Sequence, residues 1–242
     1  MSEVKPYTDA REKKIQVEQM FDAIAPRYDR LNQILSLGIH TSWRKRAVGE
    51  LMKVNPDHVL DLATGTGDFA IQLANAGVKK ITASDISEGM MRFGHEKIQR
   101  LNLSSAIEFS RADAENMPFE TSTFDAISIA FGVRNFQHLD NGLVEMCRVL
   151  KPGGIAVILE FSKAKGWFKP FYGFYFRFIL PVIGRLISKD GFAYSYLPES
   201  VKAFPEGKAF QQILVSCGFS DTFFIPLTFG VATIYVAKKP MS

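Results

Sequence analysis

Short apolar runs alternate with longer stretches of helical periodicity through the middle of this chain, and this alternation is the strongest constraint on its fold. The runs predict strands at residues 59–62, 80–85, 107–110, 124–130 and 155–161, and the longer stretches predict helices at 68–75, 87–101 and 139–150. Strands that alternate with helices form βαβ units, in which successive strands run parallel. We therefore predict an α/β chain with a doubly wound, Rossmann-like sheet.

The C-terminal part of the chain breaks this pattern. Two β-rich runs, 222–227 and 231–238, are joined by only a few residues. Earlier in the chain, the Lys-Pro-Gly-Gly sequence at 151–154 predicts a turn before the strand 155–161. A connection as short as the one after residue 227 can only join antiparallel strands. A parallel sheet that ends in an antiparallel hairpin is typical of class I S-adenosylmethionine (SAM) methyltransferases rather than of dinucleotide-binding proteins.

The length of 242 residues fits one large domain, and no internal repeat or Ser/Gly linker divides the chain. Apolar residues make up 47% and charged residues 22%, a balance that excludes intrinsic disorder. Apolar residues at three- and four-residue spacing predict helices in the N-terminal part. We expect a single methyltransferase domain over residues 1–242, with residues 1–52 as a helical lid.

Cysteine content and hydropathy bear on the compartment. Cys147 and Cys217 are too few for a disulfide framework, and no Cys/His spacing predicts a metal site. The charged N-terminus predicts no signal peptide, and the longest uncharged run, 222–237, is too short to cross a membrane as a helix. We expect a cytoplasmic protein that needs no metal and touches membranes only peripherally.

A glycine-bearing turn follows the first predicted strand. Gly65 and Gly67 allow a sharp turn and a close approach of backbone to ligand. Asp85 ends the second strand, 20 residues after Gly65, where an acid accepts hydrogen bonds from ribose hydroxyls, and Asp113 follows the third strand. Because the carboxyl ends of parallel strands share one edge of a sheet, these side chains are predicted to converge on a nucleoside ligand.

This turn has three possible interpretations, which are a dinucleotide site, a SAM site and a purely structural turn. A dinucleotide would place its pyrophosphate at the helix that begins at Asp68, and the negative charge there opposes phosphate binding. SAM has no phosphate and carries an ammonium and a sulfonium group, so acids suit it. The alternative is a tight turn at Gly65 and Gly67 with Asp85 acting only near a helix N-cap.

Further motifs resemble the ubiquinone/menaquinone biosynthesis C-methyltransferase family (UbiE/MenG type), and together they span most of the chain in order. They are Tyr28-Asp-x-x-Asn32, Gly38-Ile-His-x-x-Trp43, the glycine turn, Phe131-Gly-x-Arg-Asn135, Arg148 to Gly154 and Leu159-Glu-Phe161. The resemblance implies transfer of a methyl group from SAM to a ring carbon of a polyprenylated quinol.

The resemblance also implies positions for the ligands. Besides Gly65 and Gly67, the cofactor contacts fall at a group of four residues, which are Thr66, Asp85, Asp113 and Ala114, and substrate contacts are expected at Tyr28, His40 and Phe131. Demethylmenaquinol is the favoured substrate, with menaquinol as its product. The equivalent step of ubiquinone biosynthesis and another lipophilic small molecule are the alternatives.

Arg134 and Asn135 are the candidate catalytic residues. The Arg134 guanidinium can stabilise a developing phenolate or naphtholate oxygen, with Asn135 as a neutral hydrogen-bonding neighbour. A guanidinium is a poor base because it stays protonated, so proton removal through water, or by a nearby acid or histidine, is easier. His40, Tyr28 and Asp29 are candidates for that role or for closing the site. The structural alternatives are a helix cap and surface ion pair at Arg134-Asn135 and a core aromatic at Tyr28.

Basic and aromatic residues coincide between residues 161 and 189. The chain has 21 Phe against 7 Tyr and 2 Trp, and its net charge is +4. This stretch carries six basic residues and no acidic one, so the rest of the chain is slightly acidic. We expect residues 162–205 to form a helical insertion, helical over 169–180, that admits a polyprenyl tail or rests on an anionic membrane. A buried insertion or a homodimer contact is the alternative.

Two other function classes are weighed against this interpretation. The basic residues are confined to one aromatic segment, and no nucleic-acid-binding motif is present, so nucleic acid is not an expected partner. A non-enzymatic scaffold with this fold would not need an intact glycine turn followed by Asp85.

Overall fold

The computed structural model describes residues 4–175 and 192–241, which form a seven-stranded sheet flanked by helices. The strands are β1 (His58–Leu62), β2 (Lys80–Asp85), β3 (Ile107–Arg111), β4 (Phe124–Ala130), β5 (Leu150–Phe161), β6 (Ser220–Leu227) and β7 (Ala232–Lys238). Their order is β3-β2-β1-β4-β5-β7-β6. Strands β1 to β5 pair in parallel and β7 pairs antiparallel with both β5 and β6, so the predicted fold class is confirmed.

Helices pack around the sheet, and three of them come before its first strand in the chain. The helices are α1 (Lys13–Ile24), α2 (Tyr28–Leu35), α3 (Ile39–Leu51), α4 (Asp68–Asn75), α5 (Glu88–Arg100), α6 (Leu139–Val149), α7 (Lys169–Phe174), α8 (Phe192–Ala203) and α9 (Lys208–Ser216). None of the helices within residues 4–175 and 192–241 combines the length and apolarity that crossing a bilayer requires.

The two faces of the sheet bury separate apolar clusters. On one face, side chains of α3, α4 and α5 such as Leu51, Leu73 and Ile98 pack on the strands. On the other face, α6 and α9 contribute Met146 and Leu214. The central strands are therefore covered on both sides, which accounts for the continuous apolar runs by which the sequence predicts them.

A third cluster joins the two segments predicted as lid and insertion. Val17, Met20, Ile24 and Leu31 of the N-terminal helices pack with Tyr196 of α8. Helix α7 covers the first half of the predicted helix 169–180, and residues 176–180 lie outside the described part of the chain. The roles of residues 1–52 as a lid and of 162–205 as an insertion stay predictions.

The segment 151–154 differs from its prediction as a turn, because it belongs to β5. The pairing of β4 and β5 shifts register here, between Phe124 and Ala126, so the extra residues form a bulge. The backbone of Gly153 and Gly154 exchanges hydrogen bonds with Lys239, which holds the bulge in the sheet. A Cβ on Gly154 would lie 2.7 Å from the carbonyl oxygen of Asp125, so only glycine fits this close approach.

Two helical glycines offer a matched test of the packing. A Cβ on Gly94 of α5 would lie 2.6 Å from the Phe109 ring and 3.3 Å from the backbone carbon of Thr66, whereas a Cβ on Gly49 of α3 meets nothing within 4 Å. We expect Gly94→Ala to lower the free energy of unfolding by about 1–3 kcal/mol through overpacking. Gly49→Ala is expected to raise it by about 0.5–1 kcal/mol through helix propensity. Urea denaturation measures both, and equal shifts of the two variants would contradict the packing argument.

Candidate active site

A pocket lined by both charged and apolar residues, the polar pocket, opens at the carboxyl ends of strands β1, β2 and β4. It encloses about 720 Å³ of empty space, its open mouth included, which is the size of an ordinary small-molecule site. Four of the residues predicted to contact a cofactor line it, namely Gly65, Asp85, Asp113 and Ala114. The predicted convergence of the strand ends is thus present.

Asp85 is held in place by backbone groups of both neighbouring loops. One carboxylate oxygen accepts a hydrogen bond from the Gly65 N–H at 2.8 Å, and the other accepts from the Ser87 N–H at 2.9 Å. Burial raises the pKa of Asp85 to about 6, although these backbone hydrogen bonds oppose the shift. Because burial destabilises the charged carboxylate, further hydrogen bonds from hydroxyl groups of a ligand would stabilise it.

The glycine turn rests on a buried carboxyl group. Asp61, at 1% exposure, accepts hydrogen bonds from the hydroxyls of Thr64 at 2.5 Å and Ser128 at 2.7 Å. These contacts tie the turn after β1 to the neighbouring strand β4. Burial raises the pKa of Asp61 to about 6 despite both hydrogen bonds. Asp61 therefore acts on the pocket by positioning the turn that carries Gly65.

Thr66 and Gly67 do not line the polar pocket. The Thr66 hydroxyl donates to a carboxylate oxygen of Asp29 at 2.5 Å, and Lys97 also reaches this hydroxyl, at 3.2 Å. Gly67 adopts a left-handed backbone with φ +80° and serves as the N-cap residue of α4. The structure thus places both residues in the support of the turn.

The N-terminal helix closes one side of the polar pocket. Lys14 of α1 donates to Asp113 at 2.7 Å, and this contact raises the pKa of Lys14. Asp22, also of α1, accepts from the Ser87 hydroxyl at 2.6 Å and from the Gly89 N–H at 2.9 Å. Sequence reasoning missed Lys14, since nothing in a charged N-terminal run distinguishes one lysine from its neighbours.

The charges of the polar pocket fit SAM better than a dinucleotide. Three acids line it, Asp85, Asp113 and Glu115, against the single base Lys14. Such a surface attracts an ammonium and a sulfonium group and repels a pyrophosphate. The backbone at Gly65, with φ +59°, brings the turn into a close approach in which a Cβ would meet Met90 at 3.1 Å. The residues present therefore fit SAM.

An apolar cavity with about 970 Å³ of empty space adjoins the polar pocket. Three aromatic residues, Phe21, Tyr28 and Phe131, line both spaces. His40 lines the apolar cavity and is 6% exposed, so the three predicted substrate residues meet in one place. A ligand in the polar pocket and one in the apolar cavity would face each other across the shared aromatic residues.

Arg134 and Asn135 lie on opposite sides of this boundary, Arg134 lining the apolar cavity and Asn135 the polar pocket. The Arg134 side chain, 7% exposed, donates to Glu160 at 2.8 Å, and its Cζ lies 5.4 Å from the centre of the Phe161 ring. Its Nε is buried without a hydrogen-bond partner among the described residues. The ion pair of Arg134 and Glu160 is buried, whereas the structural alternative from the sequence was a surface ion pair.

Three further residues complete the site, and they differ in how easily the sequence alone could have identified them. Glu160 is fully buried, and an acidic residue within an apolar strand indicates a functional or paired carboxylate from the sequence alone. Arg44 lines the apolar cavity, with its Cζ 5.6 Å from the centre of the Phe131 ring. Tyr196 donates its hydroxyl to Asn135 at 3.2 Å, and no local pattern predicts a contact across 61 residues.

The buried pair of Arg134 and Glu160 has a testable energetic role. Glu160→Ala would leave a buried guanidinium unpaired, so we expect the free energy of unfolding to fall by about 3–5 kcal/mol. Lys151→Ala breaks the more exposed pair with Asp125 and is expected to cost no more than about 1 kcal/mol. Guanidinium denaturation of both variants measures the difference, and similar losses would argue against a structural dependence on the buried pair.

Comparisons with known proteins agree with this architecture. The ubiE/COQ5 methyltransferase family matches residues 7–239. The demethylmenaquinone methyltransferase of Bacteroides fragilis is 48% identical and aligns over 98% of this chain and 97% of its own length. The ubiquinone/menaquinone biosynthesis C-methyltransferase UbiE of Geobacter sulfurreducens is 46% identical over 94% of this chain and 90% of its own length.

A solved structure supports the fold independently. The crystal structure of a SAM-dependent methyltransferase from Thermotoga maritima, described as a possible histamine N-methyltransferase, superposes with a TM-score of 0.64 at 16% identity. The match covers 91% of this chain and 98% of that one. The family predicted from the sequence motifs is confirmed by the family match and the relatives: this chain belongs to the ubiE/COQ5 methyltransferase family and is a SAM-dependent methyltransferase.

Proposed function

We propose that this protein methylates a ring carbon of a polyprenylated quinol, converting demethylmenaquinol to menaquinol. The observation that carries the proposal is the shared aromatic boundary of Phe21, Tyr28 and Phe131, across which a polar pocket whose charges fit SAM meets a large apolar cavity. Relatives named demethylmenaquinone methyltransferase support the choice of substrate, and the UbiE relative keeps the ubiquinone precursor as an alternative.

SAM supplies an electrophilic methyl group when bound, so the protein itself needs no nucleophile. The residues of the polar pocket bind and orient this ligand. Asp85 would accept hydrogen bonds from the ribose hydroxyls, and Asp113 and Ala114 line the same pocket. The acids of the pocket also match the positive charge of the ligand. Gly65 allows the close backbone approach.

The apolar cavity orients the ring and excludes water. Arg134, held by Glu160, is the residue that stabilises the developing negative charge on a ring oxygen, since its buried Nε lacks a partner in the described part of the chain. Asn135 faces the polar pocket and is positioned by the Tyr196 hydroxyl. A fixed donor in a dry site stabilises such charge more strongly than water does.

Methyl transfer to defined quinols tests the proposal. We expect the purified protein to transfer label from SAM to reduced demethylmenaquinone, and more slowly to the corresponding ubiquinone precursor. Arg134→Ala is expected to lower kcat roughly 100-fold or more, because it removes the charge that faces the ring oxygen. Calorimetry with S-adenosylhomocysteine verifies that the variant keeps its polar pocket. Absence of label in both quinols from the wild-type protein would refute the proposed function.

We also propose that the protein is cytoplasmic and docks on the inner face of the membrane, where its substrate resides. Two aromatic side chains of the segment 162–205 are strongly exposed, Trp167 at 67% and Phe174 at 58%. Phe229, at 55% exposure, contacts the Trp167 ring, with 5.2 Å between the ring centres. An open pocket nearby is lined by the acid Glu206 and by four basic residues, which are Lys163, Lys165, Lys169 and Lys202. Tyr172 lines both this pocket and the apolar cavity, which supports a route for the prenyl tail between membrane and site.

Vesicle binding with two charge-matched variants tests the docking surface. Changing Lys163, Lys165 and Lys169 to Gln is expected to weaken binding to phosphatidylglycerol vesicles by at least tenfold, at about 1 kcal/mol per lysine. The control changes Lys79, Lys80 and Arg100, exposed residues near the opposite edge of the sheet, to Gln and is expected to bind like the wild type. Equal loss in both triple variants, or no loss in the first, would contradict the proposed surface.

A further inference from the structure

The apolar cavity must also hold a group that accepts the proton of the ring hydroxyl. Methylation at carbon is favoured when the adjacent hydroxyl becomes an oxyanion, and in a dry cavity that proton needs a base within reach. Three residues were candidates from the sequence, namely Tyr28, Asp29 and His40. The structure separates them by position and by protonation state.

Tyr28 and Asp29 are poorly suited. Burial raises the pKa of Tyr28, so its hydroxyl stays protonated at neutral pH and offers no base. Asp29 does not line the apolar cavity, and its carboxylate is occupied by the Thr66 hydroxyl and by Lys97, both at 2.5 Å. No aspartate or glutamate is found among the described residues that line the cavity.

The hydrogen bonds around His40 set its tautomer. The Ser36 hydroxyl donates its proton to the carbonyl oxygen of Asn32 at 2.6 Å, because a carbonyl oxygen can only accept. Ser36 Oγ also contacts His40 Nδ1, and since the hydroxyl proton is already used, Nδ1 must be the donor. His40 therefore carries its proton on Nδ1. This leaves a lone pair on Nε2, for which the described residues provide no hydrogen-bond partner.

The charges near His40 keep it neutral. Burial and then the positive charge of Arg44 lower the pKa of His40, while Asp68 and Asp29 oppose them. Asp68 is itself neutralised, since Lys97 lies at 2.8 Å and Arg44 at 3.5 Å. Arg44 lies four residues after His40 on α3, so the two side chains share one face of the helix. The other titratable groups among the described residues that line the cavity are Arg134, Tyr28, Tyr172, Tyr175 and Tyr196.

We propose that His40 is the proton acceptor for the quinol, that Nε2 receives the ring hydroxyl proton, and that Ser36 is a positioning residue that holds the tautomer. In this step the O–H bond breaks, its electron pair stays on the ring oxygen and an N–H bond forms on Nε2. The resulting oxyanion lies in a cavity lined by Arg44 and Arg134, whose positive charges stabilise it. The proposal rests on the proposed function, because it needs a hydroxyl-bearing ring in the apolar cavity.

The tautomer can be measured without any substrate. In ¹⁵N-histidine-labelled protein with its four histidines, we expect His40 at pH 7 to show a protonated Nδ1 and an unprotonated Nε2, with its signals assigned through His40→Gln. Ser36→Ala is expected to mix the two tautomers, and Ser36→Thr, which keeps the hydroxyl, to restore the wild-type pattern. An Nε2–H tautomer, or a doubly protonated ring at pH 7, would overturn the proposal.

Kinetics at saturating SAM give the second readout. We expect His40→Gln to lower kcat roughly 100-fold or more with little change in S-adenosylhomocysteine binding, and to remove the fall in kcat that the wild type shows as acidic pH protonates His40. His58→Gln is the matched control, since His58 is also partly buried with a lowered pKa but lies at the far end of β1. An unchanged kcat and pH profile in His40→Gln would refute the role of His40 alone. A wild-type protein inactive on every quinol would instead refute the proposed function.

Discussion

The separation of the two cavities depends on one buried ion pair, between Arg134 and Glu160. Glu160 belongs to β5, and Arg134 lies in the turn after the neighbouring strand β4, so the pair ties a loop to the sheet. The Arg134 N–H also donates to Glu160, at 3.2 Å. Phe131, the aromatic residue at the start of this turn, has a φ of +59° and donates its N–H to Leu159 at 2.7 Å. Phe131, one of the three residues that line both cavities, is thus held from both sides.

A second network of charges links the apolar cavity, through Arg44, to the glycine turn, through Lys97 and Thr66. Arg44 and Lys97 both pair with Asp68, and Lys97 continues to Asp29. Burial alone would raise the pKa of Asp68, but the charges of Arg44 and Lys97 outweigh it and hold that pKa below its usual value. The same Arg44 lowers the pKa of His40. Arg44 thereby acts with Lys97 to keep Asp68 ionised in the support of the glycine turn, and with burial to keep His40 neutral in the apolar cavity.

The N-terminal helices complete both cavities through polar contacts to distant loops. Lys13 donates to the carbonyl oxygens of Arg134 and Phe136, and Lys14 binds Asp113. Lys13 is buried, at 8% exposure, whereas the Lys14–Asp113 pair is partly exposed, and exposed pairs contribute little stability. The role of residues 1–52 as a lid stays a prediction.

The sequence by itself determined the sheet, its antiparallel end and the strand ends at which Gly65 and Asp85 meet, because strand and turn patterns are local and parallel strands align their carboxyl ends. The tertiary structure alone decided the rest. It turned Thr66 away from the polar pocket toward Asp29, and it made 151–154 a bulge in β5. It also paired Arg134 with Glu160 and set the His40 tautomer through the contacts of Ser36. These outcomes depend on which side chains packing brings together and which protons they share, and such information is absent from any local pattern.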